Sequence, residues 1–261
     1  MRLKGITALL GLTLFFTCVL GANPDRPVVP SPFKAKPLRV GVTADSPPLA
    51  FKIDGELEGV EIDLARLLGK ELGRPIVFVE VAWADQIKFL NDDKTDIIMS
   101  GMTVTREREE LVAFSPPYLN FGQMSLVRKQ DRPRFTSVRS LLDTASRVAV
   151  VPDTTGAAFV KNDFANADIV EFATPEDAVD AVVRSQADIF VYDSPVINWM
   201  AGKREMENVV PVNINLTIEY LAWAMRKSDS KLQDQVANAL FEFESDGRLQ
   251  TVLGRWISDQ R

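Results

Sequence analysis

Twice along this chain a short apolar run, an amphipathic helical stretch and another apolar run follow one another, a repetition that restricts the fold to layered α/β arrangements. From Leu38 the segment LRVGVT reads as a buried strand. Glu61 to Gly73 reads as a helix: Ile62, Leu64, Ala65, Leu67, Leu68 and Leu72 mark one apolar face, acids occupy the first turn, and Gly73 supplies the C-terminal stop. Residues 76–81 (IVFVEV) are a second expected strand, Ala84 to Asn91 a short helix, and Asp96 to Met99 a third strand. The same order returns after Asp131. Residues 147–151 (RVAVV) read as a strand, a helix follows Thr155, residues 168–172 form a strand, Pro175 to Ser185 a helix, and residues 188–192 (DIFVY) the closing strand. Thr174-Pro-Glu-Asp177 has the pattern of a capping box with proline at the first helical position. Two such units predict two lobes. Open α/β sheets bind ligands beyond the carboxyl ends of their strands, so the loops after Val42, Val81, Met99, Val151 and Tyr192 are expected to converge on one cleft.

The stretch from Asp96 to Tyr118, DIIMSGMTVTREREELVAFSPPY, carries the most chemistry. Its apolar strand ends in small and hydroxylic residues, Ser100, Gly101, Thr103 and Thr105, with Arg108 five positions after Thr103. Such a strand end presents backbone N–H groups and hydroxyls, and a guanidinium beside it can grip a carboxylate through two hydrogen bonds. The stretch therefore reads as an anion socket. A competing reading treats Arg106-Glu-Arg-Glu-Glu110 as a solvated helix face whose ion pairs contribute little.

Composition removes several function classes. No histidine occurs in the 261 residues, and the single cysteine is Cys18. Cys18 lies in an N-terminal segment expected to be cleaved off, which would leave no thiol; His-based triads, Cys nucleophiles and the usual zinc sites are then excluded, and no cofactor is expected. A formal charge of −6 argues against a nucleic-acid partner. At the N-terminus, Arg2 and Lys4 precede an apolar run from Ile6 to Leu20 and the small residues Gly21 and Ala22. That order predicts a signal peptide over residues 1–22 and export of the chain. Lipid attachment at Cys18 is the less favoured alternative, because Phe15 and Thr17 flank it where bacterial lipoproteins usually carry Leu and a smaller residue. Residues 23–37, with prolines at 24, 27, 30, 32 and 37, read as a tether.

From Leu38 to Ile257 the chain resembles the bacterial extracytoplasmic solute-binding proteins of family 3, receptors that deliver amino acids to ATP-binding-cassette (ABC) importers. The residues that carry the likeness are Gly59-Val-Glu-Ile-Asp63, Trp83 before an apolar helix, and Asp96 with Ser100-Gly-Met-Thr-Val-Thr-x-x-Arg108 and Phe114-Ser-Pro-Pro-Tyr118. Asp153-Thr-Thr155, Ala187-Asp-x-x-x-x-Asp193 and Ser245-Asp-Gly-Arg-Leu249 follow in the family's order. The resemblance implies a two-lobed, type II periplasmic-binding-protein-like α/β fold with a two-strand hinge. Lobe 1 would comprise residues 38–126 and 224–261, and lobe 2 residues 127–223, the chain leaving lobe 1 near Met124 to Arg128 and returning near Leu221 to Met225. Residues Lys231 to Ile257 would finish lobe 1 as helices with Val236, Leu240, Leu249, Val252, Leu253 and Trp256 toward its core.

The resemblance further implies that Arg108 pairs with the α-carboxylate of a ligand, with Ser100, Thr103 and the Gly101 backbone nearby. Thr154 and Thr155 would serve the same carboxylate from the other lobe, Asp193 would accept from the α-ammonium, Trp83 would form a wall, and Asp45 would stand in the loop after the first strand. Each role has a plainer competitor. Asp193 could cap the next helix, Trp83 could be a core aromatic, and Thr154 and Thr155 could only begin a helix. Ser46 and Leu49 stand where many of these receptors carry aromatics, Thr43 where some carry Asp, Val60 where an aromatic is usual, and Asp153 where Gly is often found. The implied protein is a periplasmic, monomeric, non-enzymatic receptor for a small amino acid or related organic acid, serving an inner-membrane permease. Two other classes stay open: a cyclohexadienyl or arogenate dehydratase-like enzyme using Asp45 or Asp193, and a ligand sensor for a signalling partner.

Overall fold

The computed structural model describes residues 36–257. The expected signal peptide, Cys18 and all of the expected tether except Lys36 and Pro37 lie outside the described residues. Those two residues form no regular structure, and their carbonyls accept from Arg74 Nε and Nη2, each at 2.9 Å.

Leu38–Val42 is an inner strand of a first sheet, parallel to Ile76–Glu80 on one side and Ile97–Ile98 on the other. Leu38, Val40 and Val42 are fully buried, as expected of a parallel strand covered on both faces. The sheet then takes in Ala224–Met225, antiparallel to Ile97–Ile98, and Ala113–Phe114 beyond it. The helix Val60–Glu71 buries Ile62, Leu64, Ala65 and Leu68 against this sheet's core. It stops at Gly73, whose φ of 60° is unstrained only without a side chain, and the Arg74 N–H closes on the Gly69 carbonyl.

A second sheet repeats the plan. Its order is Asp168–Glu171, Arg147–Val150, Ile189–Asp193, Gln123–Arg128 and Val209–Val212, the first three parallel and the last two antiparallel. The helices Thr155–Asp163, Pro175–Val183 and Ser194–Lys203 pack on it. Thr174 caps the second of these through the Asp177 N–H at 3.1 Å, with Pro175 at its first position.

The likeness of the two lobes extends to one partly buried ion pair in each. Asp96, just before its strand, accepts from Arg39 N and Nε at Oδ2 and from Arg39 Nη2 at Oδ1. Asp188 accepts from Arg147 N, Nε and Nη2 with the same atom pairing. Burial raises the pKa of both acids, but the hydrogen bonds from arginine outweigh it and hold each at about 2.

Gln123–Arg128 lies wholly in the second sheet, paired residue for residue with Ile189–Asp193, so the outward crossing precedes the 124–128 stretch expected from sequence. The crossing is a short ribbon in which Leu119–Phe121 pairs antiparallel with Glu219–Leu221. After it the helices Ser230–Ser245 and Arg248–Trp256 pack back on Val60–Glu71. Val236, Leu240, Leu249 and Val252 are buried there, while Leu253 and Trp256 sit half-buried at the margin. Asp63 Oδ2 fastens the terminal helix by accepting from Arg255 Nη1 at 2.7 Å and Trp256 Nε1 at 2.9 Å.

Candidate functional site

The strand ends of both sheets open onto one cavity of about 370 Å³. Asp45, Trp83, Ser100, Gly101, Thr103 and Arg108 line it from the first lobe, and Thr154, Thr155 and Asp193 from the second. The nine residues with an expected ligand role therefore reach one place, although they come from six separate segments, while Thr105 of the expected socket does not line the cavity.

Arg108 sits on the short helix Arg106–Glu109, whose first turn is closed by Thr105 Oγ1 accepting from the Arg108 N–H. Its side chain leaves that helix for the cavity. Nη1 donates to the Thr103 carbonyl at 3.0 Å and Nη2 to the Asp153 carbonyl of the opposite lobe at 3.2 Å. The guanidinium also lies 5.2 Å from the centre of the Trp83 ring, within cation–π range. Burial pulls the Arg108 pKa down, opposed by the negative charges of Asp193 and Glu219. The solvated-face reading does not describe this arginine.

Trp83 combines two environments. Its ring is half-buried against the cluster of Leu90, Ile98, Met102, Val112 and Ala224, while Nε1 donates at 2.9 Å to the same Asp153 carbonyl that Arg108 meets. Asp153 holds a φ of 60°, the left-handed conformation that glycine supplies elsewhere and that a short polar side chain tolerates. Asp153 therefore supports the turn that aims its carbonyl at the first lobe.

Gly101 departs from expectation. It lines the cavity with a φ of 67°, yet its N–H points into the core and donates to Glu61 Oε1 at 2.5 Å. This donor is spent and cannot serve a ligand carboxylate. The same carboxyl accepts from Tyr118 Oη at 2.8 Å and Trp223 Nε1 at 3.0 Å. Glu61 is fully buried and its pKa rises to about 7, desolvation outweighing the three hydrogen bonds. Ser100 Oγ accepts from the Thr43 N–H at 2.8 Å, and Thr43 Oγ1 donates to the Val81 carbonyl, so these polar groups join three strand ends. Thr103 is buried, bridges to Leu221 and supplies the carbonyl that steers Arg108.

In the second lobe, Thr154 is the N-cap of Thr155–Asp163. Its hydroxyl accepts from the Ala157 N–H at 3.1 Å and donates to the Val151 carbonyl at 2.7 Å. The hydroxyl is committed to the helix start, and what the turn offers the cavity is the unpaired N–H groups of a helix N-terminus. Thr155 Oγ1 accepts from Gln123 Nε2 at 3.2 Å. Asp193 occupies the cap position of Ser194–Lys203 but makes no side-chain capping bond. Its Oδ1 instead accepts from Gln123 Nε2 at 2.7 Å. Desolvation raises its pKa to about 7; the Gln123 hydrogen bond and the Arg108 charge pull it down, and Glu219 pushes it further up. Asp45 accepts from Ser46 Oγ at 2.9 Å, and burial raises its pKa. Ser46 Oγ in turn lies 3.4 Å from Tyr192 Oη across the cleft.

Gln123, Tyr192, Glu61 and Glu219 belong to this constellation and were not singled out as site residues from the sequence. Tyr192 directly precedes Asp193, and Glu61 lies inside Gly59-Val-Glu-Ile-Asp63, a motif that points to the family rather than to a ligand role. Gln123 and Glu219 carried no local signal, because each matters through residues far away in the chain. Among the described residues no cluster of His, Cys, Asp and Glu is placed to hold a metal ion, and no helix is long and apolar enough to cross a membrane.

Two mixed sheets of this order, joined by a two-strand ribbon and sharing one polar cavity, constitute the type II periplasmic-binding-protein fold. The model of the bacterial extracellular solute-binding proteins, family 3, matches residues 38–259, and the chain belongs to that family. It is 29% identical over 208 residues to the ABC transporter glutamine-binding protein GlnH of Bacillus subtilis, covering 78% of this chain and 74% of that protein. It is 27% identical over 158 residues to the cyclohexadienyl dehydratase of Pseudomonas aeruginosa, covering 60% and 59% respectively. Among solved structures, the ancestral amino acid-binding protein AncCDT-1, a precursor of cyclohexadienyl dehydratase, superposes with a TM-score of 0.78 at 38% identity. That match covers 85% of this chain and 95% of the other.

Proposed function

We propose that this protein is an exported receptor that closes around a small amino acid and presents it to the permease of an ABC importer. One observation carries the reading: a guanidinium and a carboxyl from opposite lobes, Arg108 and Asp193, line the same small cavity. An α-amino acid carries the complementary pair of charges on one carbon. Arg108 has donors beyond the two used on carbonyls and pairs with the α-carboxylate, assisted by the N-terminus of Thr155–Asp163. Asp193, freed from capping, takes the α-ammonium. Ligand contacts from both lobes favour the closed state by differential affinity, with Leu119–Phe121 and Glu219–Leu221 as the hinge. Ser46 and Leu49 in place of aromatics leave the side-chain end of the cavity open to a polar or neutral side chain. The cavity volume is within the range of small-molecule sites.

Thermal-shift screening of the full chain against the twenty amino acids tests this. A ligand that binds only the folded state raises the unfolding temperature, by ~2.7 kcal/mol of stabilisation at a hundred times its Kd. No shift with any of them refutes the receptor reading. The dehydratase relative supports a second reading, in which Asp193 acts as an acid on a bound prephenate-like substrate. Turnover of prephenate by the purified chain favours that reading, and binding without turnover rejects it.

A further inference from the structure

Three aromatic rings meet across the boundary between the lobes, away from the cavity. Phe51 belongs to the first lobe, where it opens the hairpin of Phe51–Ile53 with Glu56–Glu58. Trp256 lies on the terminal helix of the same lobe and is held there by its Nε1 donation to Asp63. Trp199 comes from the second lobe, on the helix Ser194–Lys203 that packs on Gln123–Arg128. Its ring centre lies 5.5 Å from that of Phe51 with the planes at 61°, and 6.3 Å from that of Trp256 at 49°. Phe51 and Trp256 meet edge to face at 5.7 Å and 89°. All three separations fall in the range where aromatic pairs attract one another. None of the three residues lines the cavity.

The rings are partly buried, and a groove lies on either side of Trp199, one shared with Phe51 and Ile53 and the other with Trp256 and Ile257. Separation of the lobes breaks both contacts of Trp199 and bares its ring, while Phe51 and Trp256 keep each other. The chain also ties this contact to the ligand groups. Asp45 and Ser46 line the cavity, and the turn Ser46–Ala50, closed by backbone hydrogen bonds of 3.0 and 3.2 Å, leads directly into Phe51. Asp193 lines it from the other lobe, and Trp199 follows on the helix that Asp193 begins, about 9 Å along the axis. A closure that carries Asp193 toward the first lobe carries Trp199 toward Phe51.

We propose that Trp199 is a latch between the lobes: its contacts with Phe51 and Trp256 stabilise the closed arrangement and set ligand affinity from outside the cavity. The proposal rests on the amino-acid reading above, in which the lobes close around a ligand. A contact biases an equilibrium only when it differs between the two states, and the Trp199 pairs exist only while the lobes are together. Each aromatic pair shifts an equilibrium by roughly two- to twelvefold, so loss of both is expected to lower the ratio of closed to open chain about tenfold.

Trp199→Ala removes both pairs, Phe51→Ala removes one of them from the opposite lobe, and Trp199→Phe retains a ring. Small-angle X-ray scattering of the ligand-free full chain reads the opening, and titration calorimetry with L-glutamine and L-arginine as probes reads the affinity. The apparent Kd is the intrinsic value divided by the closed fraction. A tenfold loss of the closed form is therefore read as an about tenfold weaker Kd where the open form prevails, and as a larger ligand-free radius of gyration where the closed form prevails. W199A is expected to show at least one of these changes, F51A a smaller change in the same direction, and W199F a value between W199A and the wild type. The ligand-saturated radius is expected to stay at the wild-type value. Unchanged Kd and unchanged ligand-free radius in W199A overturn the proposal even if its melting temperature falls, because a merely structural role moves the melting temperature alone. Failure of both probes to bind counts against the amino-acid reading, and the ligand-free scattering then decides the latch by itself.

Discussion

Arg108→Ala separates ligand recognition from fold maintenance. The side chain ends in a desolvated cavity, stacks near Trp83 and makes two hydrogen bonds, both to carbonyls. Without a ligand, truncation removes those bonds, at ~0.5–1.5 kcal/mol each, and shifts Asp193 toward its protonated form, which relieves the uncompensated charge. The net loss of stability is expected to be about 1–2 kcal/mol. With a ligand the account differs, because a carboxylate enters a buried site that has lost its cation. Leaving one partner of a buried, hydrogen-bonded charge pair alone costs about 3–5 kcal/mol, equivalent to roughly a hundred- to several-thousandfold in affinity. Titration calorimetry with the amino acid selected by thermal shift measures this, and a thermal melt of the ligand-free variant verifies the fold. Arg108→Lys retains a charge without the planar fork and is expected to fall between the two. An Arg108→Ala protein with an unchanged Kd would refute the reasoning, because no other described cation lines the cavity.

Asp96 and Asp188 have pKa values depressed to about 2, so the stability they contribute is complete above the unfolded value of about 4 and disappears as pH falls from there toward 2. Acid unfolding followed by circular dichroism is expected in that window, and Asp96→Asn should lose on the order of 1–2 kcal/mol at pH 7 and flatten the acid limb. Glu61→Ala leaves the Gly101 N–H, Tyr118 Oη and Trp223 Nε1 without their acceptor, at about 1 kcal/mol or more each, and a denaturant midpoint read by Trp fluorescence should fall accordingly. The raised pKa of Glu61 has the opposite sign to the aspartates. Stability held by its protonated form declines as pH rises from about 4 to 7, and Glu61→Ala should remove that slope. Trp83→Phe keeps a ring beside Arg108 but deletes the N–H donated to Asp153, a bond between lobes, and should weaken ligand binding about three- to tenfold by calorimetry.

How far the sequence reaches depends on the range of the interaction. The helix Val60–Glu71 was legible because its apolar face repeats with the helical period and Gly73 ends it. The strand Leu38–Val42 was legible as a buried run. The start of Pro175–Val183 was legible because capping is a contact between Thr174 and Asp177, three residues apart. Among site residues, Arg108 was legible from its distance to Thr103, whose carbonyl it does meet. Thr154 was legible only as a choice between two uses, and its hydroxyl took the local one.

What lies beyond a turn or two was decided by sheet order. The sequence could not say that Gly101 would donate to Glu61, forty residues earlier, since that bond exists only because the helix Val60–Glu71 and the strand Ile97–Ile98 belong to one lobe. Nor could it say that Gln123, just before the stretch expected to cross between lobes, would pair opposite Asp193 and hold its carboxyl, a contact across seventy residues. Glu219, on the ribbon, meets Thr217, which in turn accepts from the Gln123 N–H ninety-four residues earlier. Periodicity and capping act through bonds between near neighbours, so residue order alone determined the strands, the helices and the types of residue gathered at their ends. Burial and charge coupling depend on which distant segments share a space, and only the tertiary structure decided which donors were spent, which acids were desolvated and which arginine faced the cleft.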